Sequence, residues 1–397
     1  MESAICDICN TNVFDVVRME RFTDFVIGDW YPVVTSLCRN CGHVFTNPRM
    51  TDIEWADFYN KQLRESYEVA RGENNGLFEY EMDLITTTLG PGAGRRVLEV
   101  GCYTGYMLKR LSDAGWDVSG VEPNPLSAKR TQELFGFPVH VTTFEEFSAS
   151  TKEQYDLIVM GSVLEHVNHP TQFLLNANSL LAQGGGLFVR VPDVEVLTLD
   201  TIADLFPLEH PNMYSATVLK TLFDKTGFSS KFLGNGSEFP RHLVGIGIKE
   251  RAEAHPCTQS ISSNYDKMSD LLGKYNRSVD QLRDSVAKAL KSLYVPRRRK
   301  VAIYGAGNHT EFLLRYTDIS KADIRFLVDT NPEKWNRTFL GLPVERPQRL
   351  MESSSEEVEV VVISSRAFQS EIYAKLKSLK KRGIDVIKLY ETDANKL

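Results

Sequence analysis

Four of the six cysteines fall within the first 41 residues. Cys6 and Cys9 form one CxxC and Cys38 and Cys41 form another, with 28 residues between the pairs. A CxxC presents two thiolates on one tight knuckle, and two knuckles complete a tetrahedral shell around Zn²⁺. Gly42 follows the second pair, where a knuckle needs an unhindered backbone. The competing reading is two unrelated pairs of packed thiols, which the duplicated spacing disfavours. Four thiolates leave no open coordination position, so the expected metal is structural. His43 is a competing ligand and is read as a packed histidine. Cys102 is read as a small packed residue, and Cys257 is assigned nothing.

A second constellation is Val97-Leu98-Glu99-Val100-Gly101-Cys102-Tyr103-Thr104-Gly105-Tyr106. It follows an apolar strand and opens a helix. Gly101 and Gly105 allow close approach of backbone to a nucleoside. Glu122 ends the next strand, 21 residues after Gly101, where a carboxylate can accept both ribose hydroxyls. The glycine spacing is not that of dinucleotide folds. Glu99 suits a cationic ligand and would repel a pyrophosphate. S-adenosylmethionine, with a sulfonium and an amine, fits this charge; another nucleoside on a Rossmann-like domain is the alternative.

Glu99-x-Gly101-x-x-x-Gly105, Glu122 and Leu164-Glu165-His166-Val167-x-His169-Pro170 resemble class I S-adenosylmethionine-dependent methyltransferases over about residues 75–250. The resemblance implies that Glu99, Gly101 and Gly105 line the methionine and ribose side and that Glu122 holds the ribose. It implies further that Thr143 and Phe144 face the adenine and that Met160 and Gly161 close the pocket. The ribbon, the methyltransferase domain and a C-terminal Rossmann-like domain together resemble sugar C-methyltransferases, which act on nucleotide-linked ketodeoxysugars. Those enzymes carry an aromatic-rich segment around a Glu-His pair; here Glu209-His210 is retained in a different flank, Leu208 to Ser215.

Methylation of a carbon next to a ketone needs a base to form an enolate and donors for the oxyanion. His210 is the leading base because imidazole titrates near neutral pH. Glu209 could orient it or act itself, and Tyr214 and Asn212 are candidate donors. The competing reading of Glu209-His210 is structural, before a helix at Ser215–Asp224. His166 and Tyr67 are candidate substrate contacts, with a structural hydrogen bond as the alternative for His166. Methyl transfer to oxygen or nitrogen is the alternative reaction. An RNA-modifying protein is a third reading, disfavoured because the ribbon offers Arg18, Arg21 and Arg39 against Asp15, Glu20, Asp24 and Asp29.

Tyr304-Gly305-Ala306-Gly307-Asn308-His309-Thr310 repeats the strand–turn–helix pattern, and Asp329 closes the following strand, 24 residues after Gly305. Gly305, Gly307, His309 and Asp329 are therefore candidate substrate contacts. Three readings stay open: a diphosphate at the helix N-terminus, a degenerate unit that only shapes the cleft, and a true NAD site. Thr310 is a candidate helix cap.

The elements that must position these groups follow from periodicity. Trp55, Phe58, Tyr59, Leu63 and Tyr67 recur at helical steps within 51–90. Val97–Val100, Val118–Val121, Val139–Val141, Leu157–Met160 and Gly186–Val191 read as strands alternating with helices, which predicts a doubly wound α/β core. Met268 through Leu293 follow three-four spacing, a long amphipathic helix read as a packed connector in preference to a coiled-coil dimer seam. The run Arg297 to Lys300 is read as a solvated loop. Val301–Tyr304, Ile324–Val328, Val358–Ile363 and Ile384–Leu389 then predict a second, smaller Rossmann-like unit, with helices at 311–316 and 368–379. The expected division is a ribbon over 1–60, a methyltransferase domain over 61–255, a connector over 256–297 and a C-terminal substrate-binding domain over 298–397.

The chain's 397 residues allow two to four domains. Its 42% hydrophobic and 25% charged residues are those of a globular protein. A net charge of −6 disfavours nucleic-acid partners. No run of 18 apolar residues or signal-peptide pattern is present, so no membrane span is expected and a reducing cytoplasm is. The expected partner is a small molecule, a nucleotide-linked sugar, on a monomer or homodimer.

Overall fold

The computed structural model describes all residues except 24–29, 56–75, 197–207, 237–238, 240, 251–261, 367 and 391–397. Tyr67, residues 56–75 of the helical stretch read over 51–90, and Cys257 lie outside the described residues.

Strands β1 (Phe14–Thr23), β2 (Trp30–Cys38) and β3 (Val44–Thr46) form an antiparallel meander. Its fourth strand is a two-residue segment, Asn212–Met213, from 166 residues further along the chain. The ribbon therefore shares one sheet with the segment that follows His210, an attachment that no local pattern revealed.

Helix α1 (Leu77–Leu89) leads into β4 (Arg96–Val100), α2 (Tyr106–Asp113), β5 (Asp117–Val121), α3 (Pro125–Phe135), β6 (Val139–His140), α4 (Phe144–Ser150) and β7 (Tyr155–Gly161). Then come α5 (Pro170–Leu180), β8 (Leu181–Pro192), the ribbon-bound β9 (Asn212–Met213), α6 (Ala216–Lys225), β10 (Phe228–Gly234) and β11 (His242–Lys249). The sheet order is β10-β11-β8-β7-β4-β5-β6, with β4 to β8 parallel and β11 antiparallel to β8. This is an α/β Rossmann-like fold. Val97, Leu98, Leu157, Ile158 and Leu187 are fully buried, as strands covered by helices on both faces must be. Local chemistry sets the helix starts. Asn124, Thr143 and Ser215 each accept a backbone N–H from the first turn of α3, α4 and α6.

Helix α7 (Ser262–Lys291) precedes β12 (Lys300–Tyr304), α8 (Asn308–Tyr316), β13 (Asp323–Val328), β14 (Arg337–Phe339), β15 (Leu342–Glu345), α9 (Gln348–Glu352), β16 (Val360–Ile363), α10 (Gln369–Leu376) and β17 (Asp385–Lys388). The sheet order β14-β15-β13-β12-β16-β17 is parallel except for β14, so the second Rossmann-like unit is present. The short strands β14 and β15 carry too little alternation to be read from sequence.

The apolar stripe of α7 packs inside this same chain. Met268, Leu272, Val279, Val286 and Leu290 join one core with Leu37, Val44 and Met213 of the ribbon sheet and Val301, Ile303 and Phe312 of the C-terminal unit. The polar face is strapped to the ribbon: Tyr265 Oη donates to Asp15 at 2.6 Å, Asn276 Nδ2 to Val17 O at 2.8 Å, and Arg283 pairs with Glu20 at 2.7 Å. The basic run is an exposed loop leading into β12, as expected, with Arg297 paired to Glu359 and Arg299 to Asp385. No helix among the described residues is long and apolar enough to cross a membrane.

Leu290 is fully buried in this shared core. Leu290→Ala is expected to cost ~2–5 kcal/mol. Urea unfolding measures it, and a cost below ~1 kcal/mol would show that α7 does not carry the inter-unit core.

Candidate functional site: a thiol cluster, two glycine turns and a histidine pair

The four cysteines converge. Cys6 Sγ lies 3.6 Å from Cys41 Sγ and Cys9 Sγ 3.5 Å from Cys38 Sγ, and all four sulfurs lie within 4.8 Å of one another. A tetrahedral Zn²⁺ with Zn–S near 2.3 Å requires sulfur–sulfur separations of about 3.8 Å, so the donor set fits that ion. Each thiol perturbs the next. The hydrogen bond from Cys41 draws Cys38 down to about 7, whereas Cys6 and Cys41 are raised, chiefly by their bonds to Cys38. Gly42 is required twice: its φ is +69°, and a Cβ would sit 2.6 Å from Asn264 Nδ2 on α7. His43 is buried, its Nδ1 3.6 Å from Cys6 Sγ, and burial pulls its pKa down to about 4. It stacks on Phe45 as a packed residue.

At the first glycine turn, Gly101 and Gly105 have φ of +68° and +78°. A Cβ on Gly105 would meet Thr131 Cγ2 at 2.4 Å, so only glycine fits beneath α3. Glu122 caps the turn. Its Oε2 accepts from Tyr103 N and its Oε1 from Asn124 N, both at 2.9 Å. Burial raises its pKa against those two N–H donors.

Glu99 is 7% exposed and its Oε2 has no hydrogen-bond partner. Burial raises its pKa well above the carboxylate range, the neighbouring Glu81 adds to the rise, and Arg190 opposes it. Arg190 donates to Glu81 and, at 3.3 Å, to Ser162 Oγ. Two carboxylates thus share one guanidinium. The orphaned oxygen leaves an acceptor open for a hydrogen-bond donor or a cationic group. Glu81 and Arg190 were missed in the sequence; the buried Arg in the otherwise apolar run Leu187–Val191 was the available signal.

Three residues expected at the pocket take other places. Phe144 and Met160 are buried in the main core, Phe144 against Phe173 at 4.8 Å between ring centroids. Thr143 spends its hydroxyl on the N-terminus of α4. Gly161 stays at the strand end, where a Cβ would approach Arg190 Nη2 to 3.1 Å.

The structure brings His166 and His210 together, with ring centroids 4.7 Å apart and planes at 78°. His166 Nδ1 is 2.9 Å from Glu209 O. A carbonyl only accepts, so Nδ1 carries the proton and the neutral ring offers a lone pair at Nε2. Glu165, His166 and His210 bring side-chain atoms within 4.8 Å of one another. The ribbon holds the backbone beside them: Thr46 N donates to Pro211 O at 2.9 Å, and β3 pairs with β9. Tyr214 and Asn212 do not serve as donors to a ligand. Tyr214 is fully buried with its hydroxyl on Leu164 O at 3.2 Å, and Asn212 Nδ2 donates to Val167 O at 2.6 Å. A cavity of about 390 Å³ beside this turn is lined by Asp7, Asp52, Glu145, His169 and Lys225, a mainly acidic wall unsuited to a pyrophosphate.

The second turn repeats the first. Gly305 has φ +116°, and a Cβ on Gly307 would meet open space. Asp329 accepts from Ala306 N and Asn331 N, both at 2.9 Å, as Glu122 does in the first turn. Here, however, Lys334 Nζ lies 3.2 Å from the carboxylate. His309 Nδ1 is held by Tyr390 Oη at 3.0 Å. Thr310 does not cap α8; its hydroxyl donates to Gly305 O at 2.7 Å.

Residues 74–230 match the family model described as a methyltransferase domain, and residues 259–389 match the C-methyltransferase C-terminal domain. The second match takes in α7 together with the C-terminal unit. A ubiquinone biosynthesis O-methyltransferase of Aeromonas salmonicida is 30% identical over 113 residues, 27% of this chain and 48% of that protein. A methyltransferase of Geobacillus kaustophilus is 27% identical over 196 residues, 45% of this chain and 87% of that protein. The chain spans about half or less of the first of these curated relatives. The crystal structure of a Burkholderia thailandensis 1,6-didemethyltoxoflavin-N1-methyltransferase with S-adenosylhomocysteine is 14% identical, with a TM-score of 0.40 over 53% of this chain and 96% of that one. The chain carries a class I S-adenosylmethionine-dependent methyltransferase domain.

Two outcomes follow from these geometries. Purified protein is expected to hold one equivalent of zinc by elemental analysis, and Cys38→Ser to lose it; a wild-type content far below one equivalent overturns the ribbon. Because Glu99 has a raised pKa in the folded state, its ionisation costs stability as pH climbs above the ordinary carboxylate range near 4.3. Glu99→Gln should therefore match wild type in urea at pH 4 and gain on it by pH 8. A difference that is independent of pH would mean that Glu99 is ordinary.

Proposed function

We propose that this protein is an S-adenosylmethionine-dependent C-methyltransferase whose acceptor is a nucleotide-linked ketodeoxysugar. The observation that carries the reading is the joining of a methyltransferase domain to a C-methyltransferase C-terminal domain, with an imidazole pair beside Glu209. S-adenosylmethionine, when bound, supplies an electrophilic methyl carbon on a sulfonium. Glu99 would hold its amine and Glu122 its ribose hydroxyls, and Gly101 and Gly105 keep the backbone clear for it. Zinc would be structural, held by Cys6, Cys9, Cys38 and Cys41. Reduced thiols fit a cytoplasmic protein.

His210 takes the proton from the carbon next to the ketone, imidazole being the side chain that titrates nearest neutral pH. His166 faces it, its ring fixed through Nδ1. In the protonated state its Nε2–H donates to the developing oxyanion, the role that Tyr214 and Asn212 cannot fill. One imidazole neutral and one protonated gives a bell-shaped pH profile. Tyr67 remains a candidate substrate contact. In the C-terminal unit, Gly305, Gly307 and the N-terminus of α8 would take the diphosphate, with Lys334 beside Asp329 supplying positive charge.

A second reading, methyl transfer to oxygen or nitrogen, is favoured by the O-methyltransferase names of the relatives, which match 27% of this chain. A nucleotide-sugar panel incubated with labelled S-adenosylmethionine and read by mass spectrometry tests the acceptor. In D₂O, a ketosugar should gain deuterium at the carbon next to its ketone without S-adenosylmethionine. His210→Ala should slow this exchange by ~10²-fold or more. Glu122→Ala should weaken S-adenosylhomocysteine binding in calorimetry. Methylation without exchange selects oxygen or nitrogen, and no cofactor binding at all removes both readings.

A further inference from the structure

A single helical turn, Leu164–His166, follows β7 and presents Glu165 and His166 side by side. The chain returns to them with His210, just before β9. One side-chain ligand atom from each of these three residues lies within 4.8 Å of the other two. One carboxylate and two imidazoles suit zinc and its neighbouring divalent transition ions; magnesium and calcium take oxygen ligands instead. The spacing of the rings agrees with this. Two imidazoles bound through nitrogen to one ion at about 2.0–2.1 Å, at an angle of about 90–110°, have centroids about 4.5–5.2 Å apart. Here the centroids are 4.7 Å apart. The hydrogen bonding agrees as well. His166 Nδ1 donates to Glu209 O at 2.9 Å, so Nε2 carries the lone pair. A metal-bound imidazole is held in the same way, its second nitrogen donating to a carbonyl or a carboxylate. Glu165 is 2% exposed, and a carboxylate at that depth gains from a cation beside it. Both histidines are half-buried, so the three ligands leave a further coordination position for water or an acceptor oxygen.

We propose that Glu165, His166 and His210 form a second metal site, for a divalent transition ion such as Zn²⁺ or Co²⁺, separate from the four thiols of the ribbon. Binding there takes up the lone pair of each imidazole. His210 can then accept no proton from an acceptor carbon, and His166 can carry none at Nε2. The metal-bound form is therefore the inactive one. This consequence rests on the reading of His210 as the base; the site itself does not. Ligand type sets the order of filling. The ribbon, with four thiolates, takes the first equivalent, and the imidazole site takes metal supplied beyond it.

Full-length protein holding one equivalent of zinc is titrated with Co²⁺ and followed by visible absorption. A second equivalent should bind with the weak bands of nitrogen and oxygen ligation and without the intense charge-transfer absorption of cobalt–thiolate bonds. His210→Ala and His166→Ala should each weaken it by ~10²-fold or more while the first zinc stays in place. His210→Gln and His166→Gln give the same reading if an alanine variant does not fold. S-adenosylhomocysteine binding at wild-type affinity checks that the cofactor domain is intact. In D₂O, Zn²⁺ beyond one equivalent should stop deuterium exchange into the ketosugar, with a midpoint at the second site's Kd, and a chelator should restore it. No Co²⁺ binding up to about 1 mM overturns the site. Binding with thiolate absorption alone, or binding indifferent to both histidine substitutions, overturns it too. Exchange that persists with the second equivalent bound overturns the inactive metal-bound form. If no exchange occurs even with the second site empty, the function reading fails, while the cobalt titration still reports on the site.

Discussion

The pairing of β3 with β9 ties the thiol cluster to the chemistry. Two residues of strand contribute little on their own, and an isolated hairpin is marginal in water. What makes β9 dependable is the platform it joins. A structural four-cysteine zinc site contributes about 10–16 kcal/mol of binding free energy, comparable to the whole stability of a domain. Zinc bound there would fix Cys38, Cys41 and the strand that follows them. Through Thr46, which bonds Pro211 O and His210 O, the effect would reach the backbone of His210 and Pro211. The ribbon reads as an appended module in the sequence. In the fold it shares a sheet with the segment that follows His210.

The second constraint is a charge imbalance. Glu81 and Glu99 are both buried against a single buried Arg190. An ion pair in the interior roughly balances its desolvation cost; a further carboxylate does not. Proteins keep such groups where a ligand supplies the missing charge. Glu122 differs, since its two oxygens already accept backbone N–H groups, and it meets a ligand as a preorganised acceptor. One turn thus presents a carboxylate short of a cation and another already shaped for hydroxyls.

The sequence made legible what depends on local spacing. The two CxxC knuckles, both glycine turns, Glu99, Glu122 and Asp329 stand where strand ends must place them. The apolar stripe of α7 was legible too, and the structure buries it within this chain. What spacing could not show is the depth of each side chain. Phe144 opens a helix, Met160 lies in a strand buried on both faces and Tyr214 follows β9, yet all three turn into the core. The contribution of Arg190 comes from packing against Glu81, 109 residues away, which no local pattern encodes.

The two glycine turns show how one backbone design is specialised by charge. In both, a carboxylate at the end of the neighbouring strand accepts an N–H from the turn and another from two residues beyond itself. The backbone geometry therefore does not distinguish them. Their surroundings do. Around the first turn, Glu99 and Glu81 outnumber Arg190, so the local field favours a cation. Around the second, Lys334 neutralises Asp329 and also donates to Ala306 O at 2.7 Å, at the N-terminal end of α8. A sulfonium would be repelled there, and an anion would gain from the ammonium and the helix end together. The proposed reaction of a cationic methyl donor with an anionic acceptor would call for opposite fields on the two Rossmann-like units, and these two turns differ in that sense.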